Sequence, residues 1–118
     1  LLGSVNKESL KDLYQNTELL IFPSPCENFA YILVEAMSVG VPIVCSNSTA
    51  MPDTCRDAAI YFDPYNSDDM EKIIYNIMDN YEEKRKLKLK SLARASSLPS
   101  FKEVTNKTLS CIMKLIDE

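Results

Sequence analysis

Two short runs of apolar residues constrain this chain more than any other feature of it. Leu19-Leu20-Ile21-Phe22 and Val41-Pro42-Ile43-Val44-Cys45 contain no polar alternation, and the segment between them has helical periodicity. A strand with one wet face alternates apolar and polar residues, whereas a strand covered by helices on both faces does not. Strand, helix, strand in immediate succession calls for a crossover connection and a parallel sheet. The fold class expected is therefore α/β, a Rossmann-like parallel sheet layered with helices.

The remaining elements fit that scheme. Leu1 to Val5 reads as a first short strand, followed by a helix over about Lys7 to Asn16 carrying Leu10, Leu13 and Tyr14 on one face. The strand over Glu18 to Phe22 ends at Pro23 and Pro25, which cannot donate ladder hydrogen bonds. A second helix is expected from Phe29 or Ala30 to Val39, with Asn28 as its cap and Gly40 as its stop. Ser46 to Ala58 reads as a long loop, and Ala59 to Phe62 as a further strand. Helical patterns then fill about 67 to 116: one from Asp68 to Tyr81, one from Glu82 to Arg94 and one from Phe101 to Leu115. The apolar stripe of the last helix is expected to pack in the core, with an interdomain contact as the other reading. Residues 84–90 are rich in lysine but flanked by Glu82 and Glu83, the pattern of a solvated helix face rather than a membrane surface.

Composition narrows the chemistry. A formal charge of −4 offers no broad attraction to phosphate polymers, so nucleic acid is not an expected partner. With no histidine, the chain supplies no imidazole base or histidine metal ligand. Its two glycines, Gly3 and Gly40, form no glycine-rich phosphate loop. The four cysteines form no close pair, and they read as reduced thiols of a cytoplasmic protein. No apolar run approaches the length of a membrane span. The start, Leu1-Leu2-Gly3-Ser4-Val5, reads as an interior cut rather than a signal peptide.

What remains is the connection after the Leu19 to Phe22 strand. There, backbone amides at a helix start meet the carboxyl edge of a parallel sheet, the usual ligand edge of such folds. Glu27 stands in that connection and Glu35 about two turns into the helix, so both carboxylates border one cleft if Glu35 faces the sheet edge. Carboxylates accept hydrogen bonds from neutral hydroxyls and repel phosphate. Glu35 thus suits a ribose diol, Glu27 a sugar, and the helix amides a diphosphate between them. The alternative is that both are solvent-facing acids.

Pro23-Ser24, Glu27, Phe29, Glu35-Ala36-Met37, Gly40, Pro42 and Ser46 resemble the signature of the large retaining glycosyltransferase family called group 1, or GT4, of the GT-B fold. The resemblance continues through Ser46-Asn47, Pro52-Asp53, Asp57-Ala58-Ala59, Phe62-Asp63-Pro64 and the helical tail around Arg85 and Leu87. It implies a nucleotide-sugar donor, UDP- or GDP-linked, with net retention at the anomeric carbon and no cofactor or metal. It places Glu27 near the donor sugar, in positioning and charge stabilisation, and Glu35 on the ribose. The amides from Asn28 through Phe29, Ala30, Tyr31 and Ile32 border the sugar and diphosphate. Asn28 and Ala30 stand where the family commonly has glycines, and Asp53 where it has glutamate.

The resemblance also implies what lies elsewhere: an N-terminal acceptor domain with a histidine near the reacting sugar, and basic phosphate-binding residues in an earlier part of the donor domain. Residues 1–118 are then a partial nucleotide-sugar-binding domain of a truncated GT-B C-terminal domain, entered at its third strand and lacking its first two. The strand near Leu2 to Val5 would lack its neighbour, leaving an edge for another strand or a second copy of the chain. Attachment to a membrane surface, where it occurs, falls to the missing domain. Without the missing basic residues the fragment is expected to be inactive, and the rival readings are a non-catalytic nucleotide-sugar-binding module and an α/β interaction domain with its pocket closed by Ala30.

Overall fold

The computed structural model describes residues 3–116. Its centre is a three-stranded parallel sheet, β1 (Leu20–Phe22), β2 (Ile43–Ser46) and β3 (Ala59–Phe62), in the order β1-β2-β3. Leu20 pairs with Ile43 and Phe22 with Cys45, while Ile43 pairs with Ala59 and Ser46 with Phe62. Every residue of β2 is buried. Ile43 and Cys45 belong to a cluster with Leu33, Met37, Met51 and Cys55, whereas Val44, between them, joins Phe62, Ile77 and Leu87. The lack of polar alternation thus has a direct cause, since both faces of β2 are dry.

Among the described residues six α-helices accompany the sheet: α1 (Lys7–Gln15), α2 (Tyr31–Ser38), α3 (Met51–Cys55), α4 (Ser67–Met78), α5 (Tyr81–Ser97) and α6 (Phe101–Ile116). Asparagines begin three of them, Asn6, Asn66 and Asn80 each accepting from the amide three residues on. Ser100 and Glu103 exchange side-chain and backbone hydrogen bonds at the start of α6, a capping box. Helix α2 ends in a Schellman turn: Gly40, at φ +77, donates to Met37 O, and Val41 donates to Ala36 O. That turn delivers the chain directly into β2.

Four expectations need correction. The first strand lies partly outside the described residues, which begin at Gly3, and Gly3 to Val5 form no strand. Helix α2 starts at Tyr31 with Ala30 as its uncapped N-cap, so Asn28 does not cap it. The long loop contains α3, a single turn of helix that Pro52 helps to begin, and whose length is too short for periodicity to reveal. No residue of α6 is buried, and Leu109, Ile112, Met113 and Ile116 are all exposed; the stripe packs in no core of this chain. No helix among the described residues is long and apolar enough to cross a membrane.

Candidate functional site

The loops that follow β1 and β2 meet at the carboxyl edge of the sheet. Pro23 ends β1, and the chain runs exposed through Pro25 and Cys26 before Glu27, which is half-buried. Serine and threonine side chains tie this loop to its neighbour. Ser46 Oγ, at the end of β2, donates to Ser24 O at 2.6 Å. Ser24 Oγ donates to Glu27 Oε1 at 3.1 Å, and the Glu27 N–H donates to Thr49 Oγ1 at 2.9 Å. Both the carboxylate and the amide of Glu27 are therefore held, one from its own loop and one from the next.

Beyond Glu27 the chain turns into α2. Asn28 and Phe29 are exposed, Ala30 is buried with 3% of its surface exposed, and Tyr31 and Ile32 are exposed on the first turn. Phe29 and Tyr31 pack edge to face with ring centroids 4.8 Å apart. The Tyr31 N–H is taken by Phe29 O, so one of the amides expected to meet an anion already has a partner. Asn28 and Ala30 both avoid the left-handed region, where among the described residues the only non-glycines are Thr49 and Arg56. Neither side chain therefore carries backbone strain.

Glu35 has different surroundings. Its Oε2 accepts from the Tyr14 hydroxyl at 3.1 Å, across the gap between α1 and α2. The two residues line an open hollow of about 430 Å³ with Lys7, Lys11, Ser38 and Val39. Burial, the hydrogen bond to Glu35 and the carboxylate's charge together push the Tyr14 phenol up to about 12, so it stays a neutral donor at physiological pH. Neither Glu27 nor the start of α2 lines this hollow. The structure gives the two glutamates separate surroundings.

A second hollow, about 330 Å³, is bounded by Tyr81, Lys84, Arg85 and Lys88 at the opposite end of the strands, where Leu20 N meets Pro42 O. Lys84 pairs with Glu18, which also lines the hollow, at 3.5 Å, and Arg85 with Glu82 at 3.8 Å, while the carbonyl end of α2 at Val39 and Gly40 borders the same space. Among the described residues no group of acidic and cysteine side chains is arranged to hold a metal ion. Cys45 and Cys55 are fully buried, and hydrogen bonding between them with burial pushes the Cys45 thiol up and leaves it unreactive.

Sequence reasoning missed the roles of Tyr14, Ser24 and Thr49. Tyr14 presented only as one apolar member of a helix face. Thr49 carried no signal, because its conformation is one that threonine rarely adopts.

Comparison with known proteins identifies the family. The model of glycosyl transferases group 1 matches residues 1–94. O-antigen chain mannosyltransferase B of Escherichia coli is 33% identical over 92% of this chain and 28% of its own length. MMP alpha-(1->4)-mannosyltransferase of Mycolicibacterium hassiacum is 29% identical over 97% of this chain and 28% of its own. Sucrose-phosphate synthase from Thermosynechococcus elongatus superimposes with a TM-score of 0.85 at 19% identity, covering 98% of this chain and 30% of that protein, and so shares the fold. The chain thus spans less than a third of the length of each of these proteins. The α/β class read from the apolar runs is the one observed, and the chain belongs to the glycosyl transferases group 1 family.

Proposed function

We propose that this chain is the donor-binding part of a retaining, GT4-type glycosyltransferase, a partial C-terminal domain that holds a nucleotide sugar for transfer to a glycan, lipid-linked or small acceptor. In this reading Glu27 accepts hydrogen bonds from donor-sugar hydroxyls and stabilises positive charge as the anomeric bond breaks. Glu35 accepts from the ribose diol. The amides between them, at the start of α2, meet the diphosphate. The observation that carries the reading is the double anchoring of Glu27 at the carboxyl edge of a parallel sheet, in a chain of this family. Two relatives are named as mannosyltransferases, which makes a mannosyl group the first hexose to test.

A diphosphate leaving group needs neutralising charge, and the loop from Pro23 to Ala30 contains no lysine or arginine. In this reading that charge, beyond what Lys7 and Lys11 beside Glu35 supply, and the acceptor site come from further polypeptide, so the 118 residues alone should not turn over donor.

The test is a titration of UDP- and GDP-hexoses against the chain and its Glu35→Ala variant. Removing a charge-assisted contact should weaken binding by about 1.5–3 kcal/mol, roughly 10- to 150-fold. Equal affinities would remove Glu35 from the site and favour an interaction domain, and product formed by the unsubstituted chain would show that it carries the whole catalytic machine.

A further inference from the structure

Thr49 adopts φ +46 in the loop between β2 and α3. For a β-branched residue the left-handed region is an outlier, and the position would be free of strain only for glycine. Such conformations persist where the surroundings over-determine them, and they concentrate at sites that must be held in one geometry. The other non-glycine residue of this kind, Arg56, stands at the C-cap of α3, where the chain passes into a turn of 3-10 helix over Arg56–Ala58.

The surroundings of Thr49 are specific. Its hydroxyl accepts the Glu27 N–H at 2.9 Å and lies 4.0 Å from the sulfur of Met51, which is fully buried. The oxygen's one close partner in this loop is therefore the amide of Glu27, with the sulfur a weak contact on the core side. Serine 24 holds the other end of the same residue through Oε1 and is itself held by Ser46. A glycine at position 49 would relax the backbone but leave the Glu27 amide without this partner. Strain retained where it could be relieved argues that the hydroxyl serves a purpose other than stability.

We propose that Thr49 is a positioning residue that fixes Glu27, and with it the entrance to α2, for contact with the donor sugar. This rests on the reading of Glu27 given above. Three variants separate positioning from a structural role. Thr49→Ser keeps the acceptor, Thr49→Gly loses it and relieves the strain, and Thr49→Val loses it and keeps the strain.

The expected thermal midpoint of Thr49→Gly is above that of Thr49→Val. Amide exchange at Glu27 should nevertheless quicken about 3- to 10-fold in both, and remain near the unsubstituted rate in Thr49→Ser. The preference for GDP-mannose over GDP, measured by calorimetry, should fall similarly in the glycine and valine variants and survive in the serine variant. Function then follows the hydroxyl rather than the stability. Binding preference that tracks the thermal midpoint, or slow Glu27 exchange in Thr49→Gly, would overturn the proposal. An unsubstituted chain that binds GDP and GDP-mannose equally would instead remove the donor reading, and the donor role of Thr49 with it. The exchange rates would still show whether the hydroxyl holds the loop.

Discussion

Tyr14 connects two elements through one proton. Its hydroxyl donates to Glu35, and the phenol is raised from an ordinary 10.0 to about 12, chiefly by burial and then by that hydrogen bond. A group whose pKa is higher in the folded state contributes stability that is fully present below its unfolded value and is lost as pH climbs through the folded one. The contact should therefore hold below pH 10.0 and fail as pH rises towards about 12, where a phenolate would face a carboxylate. Comparing thermal midpoints of the chain and Tyr14→Phe across this window checks it. The difference between the two should shrink as pH rises, and a difference independent of pH would show that the tyrosine contributes only packing. Of the candidate residues, Glu27 and Glu35 were recognisable by their place in the family signature, since spacing alone leaves solvent-facing acids as the alternative. Their partners were not: a phenol on a helix face and a threonine in a loop acquire meaning only when another loop or helix is brought against them.

At the level of elements, the junction between α2 and β2 fixes where α2 ends and β2 begins. Gly40 makes this junction in two ways. Its positive φ closes the Schellman turn, and a Cβ placed there would come within 3.1 Å of Leu92 Cγ and Lys88 Cγ on α5. Gly40→Ala should cost about 1–2 kcal/mol for the left-handed conformation alone, with crowding against α5 in addition. Chemical denaturation would measure it, and a loss below about 0.5 kcal/mol would mean that the turn relaxes without penalty. This junction was readable in advance, because a glycine after an apolar helix and before an apolar strand has few other uses. The start of α2 was not. Asn28 has the chemistry of a cap, but Phe29 and Ala30 continue the loop, and the helix opens with no side-chain cap. Helix α3 was illegible for a related reason, being stabilised by burial of Met51, Thr54 and Cys55 rather than by any local pattern.

For the whole molecule, amphipathic periodicity reports that a face seeks a partner, not which partner it finds. Periodicity predicted α4 and α6 equally well, yet Ile77 of α4 reaches the core and nothing in α6 does. Helix α6 therefore presents Val104, Leu109, Ile112 and Met113 on its surface, and β1, at one edge of the sheet, presents Ile21 at 40% exposure. In a chain that spans under a third of its relatives, these are the surfaces where further polypeptide would be expected to pack. Without it, they should bring copies of the chain together. A version ending at Pro99 removes α6 while keeping Leu98, which packs on the core. Because no residue of α6 is buried, this truncation should change stability by no more than about 0.5 kcal/mol. It should also weaken self-association in sedimentation velocity, and adding Ile21→Lys should weaken it further by placing a charge on the free strand. A large fall in thermal midpoint on truncation would make α6 part of the fold, and a chain that stays monomeric at high concentration with both surfaces intact would mean that neither recognises a copy of itself.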